Sequence, residues 1–167
     1  MSKTYSVGGY VKLAKLWNRS RESIIAYLQS YYQEKYTECD DAQLFDVYID
    51  ITGDKRIIKR PGMLRLMRDC AEGKVNLVAT QTKAYLAANA REFCYLLYFL
   101  FHLNHRVDIV TEDRDYNINT IEDEEDQRAA LEKMIEDYIS LNPEDHELWL
   151  SEIINAIADL KEGDENG

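Results

Sequence analysis

DVYIDITGDKRIIKRPGMLRLMRDCAEGKVNLVATQTKAYLAANAR, residues 46–91, is the stretch whose reading decides the fold. It opens inside an apolar run, Leu44 to Ile51 (LFDVYIDI), with large side chains on both faces of the expected strand. A strand apolar on both faces belongs in a sheet covered by helices on each side. A charged loop follows (TGDKRIIK), and Pro61 then suits the first turn of a helix, where its missing N–H costs nothing. Leu64, Met67, Cys70 and Ala71 form one face of that helix, and Gly73 reads as its C-cap. Val75 to Thr80 (VNLVAT) reads as a second strand, after which a further helix begins.

Working outward, Ser6 to Leu13 (SVGGYVKL) reads as a first strand, opened by the Gly8-Gly9 pair. Ser20 and Ser23 offer caps for a helix on which Ile24, Leu28 and Tyr31 recur, with Ile25 and Tyr32 beside them. The tyrosines of that face are read as core cover. On the other side, Ala87 to Leu103 is an unusually apolar helix and Val107 to Val110 a short strand. The order β-α-β-α-β-α-β predicts an α/β domain with a mostly parallel central sheet of about four or five strands. Sites in such sheets form at the carboxyl ends of the strands, here near Ala14, Asp50 to Arg60, Thr80 to Tyr85, and Glu112.

The texture changes at Thr120. Thr120 with Glu122 and Asp123 reads as a helix start, and Leu131, Met134, Ile135 and Tyr138 recur at helical spacing. Asn142-Pro143 breaks that helix and opens another, with Leu148, Trp149, Ile153, Ile154, Ile157 and Leu160 apolar. Residues 163–167 are expected to fray. The division expected is residues 1–120, an α/β domain, and residues 121–167, an acidic helical extension that needs a partner surface. The net charge of −11 is carried by the extension. Residues 1–120 hold 17 Lys+Arg against 15 Asp+Glu, whereas residues 121–167 hold 3 against 16. Such an extension repels a phosphate backbone, which argues against a DNA-binding module there.

With 46% hydrophobic residues the chain can bury one sizeable core. No apolar run is long enough to span a bilayer, and MSKTYSVGGY lacks the apolar stretch of a signal peptide. Cys39, Cys70 and Cys94 are odd in number and far apart, so reduced, buried thiols in a cytoplasmic protein are expected. His102, His105 and His146 have no Cys or carboxylate at ligand spacing, so neither a metal nor a cofactor is expected. Lys55, Arg56, Lys59 and Arg60, with Arg65 and Arg68, form a basic cluster without interleaved aromatic residues, which reads as a solvated loop before it reads as a nucleic-acid surface.

From roughly Gly9 to Asn119 the order of elements resembles the catalytic domain of serine recombinases, the resolvase/invertase family. That family carries Tyr-x-Arg-x-Ser at the end of the first strand, an Asp ending the next, and an Arg-Pro-Gly-type corner. A Lys-x-Asp-Arg-Leu-x-Arg segment follows the third strand. Its serine attacks a DNA phosphodiester, and arginines stabilise the charge on phosphorus without a metal. In this chain Tyr10 is kept, Lys12 replaces the arginine and Ala14 replaces the nucleophile. Asp50 and Arg60, in Arg60-Pro61-Gly62, match. In residues 82–89, Leu86 and Asn89 agree, but Ala84 stands for the Asp, and Tyr85 and Ala88 for the two arginines. Arg91 agrees with an arginine further along, and Arg128 is the nearest candidate for the family's later Glu-Arg pair. A structural role for Asp50 and Arg60, as a surface ion pair or loop hydrogen bond, weighs equally with a phosphate-related one.

An alanine has no oxygen with which to attack phosphorus, and residues that act as a unit fail together. The resemblance therefore implies a recombinase-like scaffold that does not cleave DNA and works through association. The expected partners are a second copy, through the helix at 122–141, or a related active recombinase. Two rivals are an active recombinase with a rearranged site and a flavodoxin-like domain binding a small anion or nucleotide. The second lacks a Gly-rich phosphate loop.

Overall fold

The computed structural model describes residues 4–114, 117–121 and 125–160. Four strands, β1 (Tyr5–Leu13), β2 (Ala42–Ile51), β3 (Leu77–Thr80) and β4 (Asp108–Thr111), form one sheet in the order β2-β1-β3-β4. Each neighbouring pair is parallel. Around them lie α1 (Arg21–Thr37), α2 (Pro61–Ala71), a single-turn α3 (Lys83–Leu86), α4 (Ala90–Phe101), α5 (Glu125–Leu141) and α6 (Pro143–Ala158). The expected α/β architecture is therefore present, and among the described residues the sheet has four strands.

The central strands are buried on both faces, as β1 shows, whereas Phe45 on the edge strand β2 stays 48% exposed. Tyr10 and Tyr48 point into a core shared with α2 and α4, containing Leu66, Met67, Tyr95, Leu96 and Leu100. Val7 and Val11 point the other way, against Leu28 and Tyr32 of α1. Gly8 and Gly9 lie inside β1 and do not open it. A Cβ on Gly8 would come within 2.7 Å of Leu66, and one on Gly9 within 2.8 Å of the Tyr32 ring. The pair lets α2 and α1 approach the strand from opposite faces, a packing requirement that looks in sequence like a turn.

Other boundaries move for similar local reasons. Residues 15–20 form a 3₁₀ turn, and Ser20 precedes α1 without a side-chain cap hydrogen bond. The apolar helix begins at Ala90, because Asn89 accepts a hydrogen bond from the Glu92 N–H and starts it there. Ala87 closes α3 instead. The helix expected from residue 122 is described from Glu125 onward, its first expected residues lying outside the described ones. Thr120 is no helix cap: its hydroxyl donates to Asp108 (2.7 Å) and accepts from the Ile109 N–H (2.9 Å). Glu122, Asp123 and the end expected to fray, 163–167, lie outside the described residues. Glu72 caps α2, with Gly73 (φ +80°) one residue beyond.

The acidic helices find their partner surface on the sheet domain. Ile135 of α5 and Trp149 and Ile153 of α6 are buried in the same core as α4. A polar network locks this packing. Glu92, 2% exposed, accepts from the Ile57 N–H (2.8 Å), Arg91 (2.7 Å) and the Trp149 indole (3.1 Å). Arg91 also holds Asp145 with two hydrogen bonds, at 2.7 and 3.0 Å. Cys70 and Cys94 are buried and Cys39 is exposed, so the expectation of three buried thiols fails at Cys39. Among the described residues no helix is long and apolar enough to cross a membrane.

Candidate functional site

The chain runs from β1 outward to β2 and then returns to β3 on β1's other side. The carboxyl ends of β1 and β3 therefore flank a topological switch point, where open α/β sheets place their ligands. Ala14 follows β1 there, and residues 82–88 follow β3.

Asp50 lies near the end of β2, opposite Lys12 in the parallel register. Its carboxylate accepts from the N–H groups of Gly62 (2.7 Å) and Met63 (2.9 Å) and from the Tyr10 hydroxyl (2.8 Å). It thus satisfies the first free donors of α2 and faces the positive end of its dipole. Gly62 is needed for this, since a Cβ there would lie 3.0 Å from both carboxylate oxygens. Burial beside Asp50 pushes the Tyr10 pKa well above its ordinary 10.0. Tyr10 is consequently a buried, neutral hydroxyl that donates to Asp50.

Arg60 is fully buried. It donates to the carbonyls of Tyr85 (3.1 Å), Leu86 (3.0 Å) and Lys55 (3.2 Å), while its Nε has no partner. The guanidinium holds the loop after β2 to the end of α3. This corrects the surface-ion-pair reading of Asp50 and Arg60: both are buried and each serves backbone groups. Lys12 is half-buried, and desolvation first, then Arg60, lowers its pKa against the opposing pull of Asp50.

The remaining family positions bring neither an acid nor a guanidinium. Ala14 is exposed and carries no reactive atom, and its carbonyl accepts from the Trp17 N–H (3.0 Å). Ala84 and Ala88 are exposed on an open groove of about 410 Å³, with Thr82, Lys83, Ala87, Asn89, Ala90 and Phe93. Tyr85 packs at the junction of the two cores. Where the resemblance expects an acid and two guanidiniums, this rim is therefore largely methyl groups and a ring.

The other cations are placed elsewhere. Arg91 is engaged by Asp145 and Glu92. Arg128 lies over the Phe101 ring and bonds the Val107 carbonyl (3.0 Å) and Asp108. That is the amino end of β4, away from Ala14. The basic cluster also divides. Arg56 is held by Asp54 and Arg60 is buried, whereas Arg65 and Arg68 line a small pocket with Asp46 and Asp69. Lys55 and Lys59 stay exposed. His146 is buried against Tyr95 and Tyr98, and His102 stacks on Tyr98. Among the described residues no group of three His, Cys, Asp or Glu is placed to hold a metal. Sequence reasoning missed Glu92, whose signal is a lone carboxylate in a run of apolar helix.

The fold is similar to solved recombinase structures. The N-terminal catalytic domain of TP901-1 integrase aligns over 83% of this chain and 97% of its own, with a TM-score of 0.58 at 19% identity. A resolvase family site-specific recombinase from Streptococcus pneumoniae aligns over 89% of this chain and 99% of its own, with a TM-score of 0.53 at 16% identity. No protein-family model and no curated protein matches the chain. The chain therefore has the resolvase-like fold of a serine recombinase catalytic domain.

Proposed function

We propose that the chain is a serine recombinase-like domain that has lost strand cleavage and acts through protein–protein association in a DNA-recombination or mobile-element setting. The observation that carries this reading is the state of the switch point. The β1 end presents Ala14, the β3 end presents Ala84, Tyr85 and Ala88, and the matching Asp50 and Arg60 are engaged in internal hydrogen bonds. A phosphoserine intermediate needs a hydroxyl and a positive field at one place. Neither is there. Its partner would be a second copy or a related recombinase.

The test is a denaturing gel of the purified protein with supercoiled DNA, run beside an A14S/A84D/Y85R/A88R variant. No covalent protein–DNA adduct is expected from the natural chain. An adduct mapped to one Ser or Tyr would overturn the reading in favour of a rearranged, active site.

A further inference from the structure

Two surfaces of this molecule are complementary and lie apart. The first is the 3₁₀ turn after β1, Lys15–Ser20, with Arg21. Every residue of it is exposed, including Leu16 at 69% and Trp17 at 40%. The sequence KLWNRSR thus sets an aliphatic and an aromatic side chain among three cations with no acid. The second is the outer face of α6. Leu148 is 59% and Ile154 52% exposed, about 120° apart around the helix, and Glu144, Glu147 and Glu152 are exposed on the same side. No Lys or Arg lies in α6.

Single exposed apolar side chains are ordinary on a protein surface. What singles out these two surfaces is that each sets a pair of them among charges of one sign, and the two signs are opposite. The charges decide the pairing. Two α6 faces would bring carboxylates together, and two basic turns would bring cations together. A turn against an α6 face pairs both the apolar residues and the charges. The contact must be between copies. Within one chain α6 packs on α2 and α4, on the face of the sheet opposite α1, while the turn packs on α1 and β2.

We propose that the Lys15–Arg21 turn docks Leu16 and Trp17 onto the outer face of α6 in a second copy of this chain. The contact joins two different patches, so it is made twice, reciprocally, in a twofold dimer, or once per neighbour in a ring or filament. It rests on the reading that the domain acts by association, and it names the surfaces used.

The test is sedimentation of the full chain and two charge-swapped variants, K15E/R19E and E147K/E152K. All four positions are exposed and outside the cores, and unchanged thermal melts confirm folding. Wild type is expected to self-associate, with affinity falling about tenfold or more as salt rises from about 50 to about 500 mM. Each variant alone should be monomeric, and their equimolar mixture should associate again. A second pair, L16S/W17S and L148S/I154S, removes the apolar contacts. Each alone should be monomeric, and the mixture should stop at a heterodimer because only one intact interface remains.

A monomeric wild type at low salt, variants that still associate, or mixtures that fail to rescue would overturn the proposal. So would a turn whose substitution weakens binding of a DNA oligonucleotide without touching self-association. These outcomes are separate from the adduct assay, which tests only whether cleavage is lost.

Discussion

Asp50 and Arg60 work inside the fold, one on the amides that open α2 and the other on three backbone carbonyls. Each is buried and each serves backbone groups, so removal should be read in stability. Asp50→Ala leaves two amides and the Tyr10 hydroxyl without an acceptor. A loss of about 2–4 kcal/mol is expected in denaturant melts. Arg60→Met should cost a similar amount, about 2–4 kcal/mol, by orphaning three carbonyls. Gly9→Ala should cost about 1–3 kcal/mol, since the Tyr32 ring, only 2.8 Å from the added Cβ, must shift. A neutral result at Gly9 would mean that α1 sits less tightly on β1 than these distances say.

At the scale of elements, α6 is bound to α4 by Glu92, Arg91, Asp145 and Trp149. Glu92→Leu should destabilise by about 2–4 kcal/mol, because the Ile57 amide and the Trp149 indole lose their shared acceptor. Glu92→Gln, which keeps a carbonyl, should cost less. His146 adds a pH dependence. Burial lowers its pKa from the ordinary 6.5, with Glu147 and Asp145 opposing and His102 reinforcing. The folded state therefore binds its proton less readily than the unfolded chain does. The stability this gives is fully present above the unfolded value and is lost as pH falls below about 6.5. Melting temperature should drop between pH 7.5 and pH 5.5. His146→Phe, which keeps the contacts with Tyr95 and Tyr98, should flatten that slope.

On the scale of the molecule, the acidic helices complete the core that α4 begins. A chain ending at Thr120 should lose cooperative melting and bind a hydrophobic dye, because Tyr95, Leu96 and Leu97 would lose the cover of Ile135, Trp149 and Ile153. A cooperative melt from that fragment would show that residues 1–120 fold on their own. The order of elements was legible because each strand is a short apolar run and each helix an apolar stripe. The Gly8-Gly9 pair misled because a close approach from two helices cannot be told from a turn by local sequence. Thr120 misled because a threonine before acids signals a cap whether its hydroxyl meets an amide of its own helix or one of a neighbouring strand.

The sequence by itself determined the α/β alternation, the acidic end, and the absence of a hydroxyl at Ala14 and of guanidiniums at Ala84, Tyr85 and Ala88. Those follow from period, composition and side-chain chemistry, which are local. Only the tertiary structure decided that Asp50 caps α2, that Arg60 is buried against the end of α3, that Arg128 sits at the far end of the sheet, and that α5 and α6 close the core. Each of these depends on which distant backbone group a side chain meets, and that is fixed by packing.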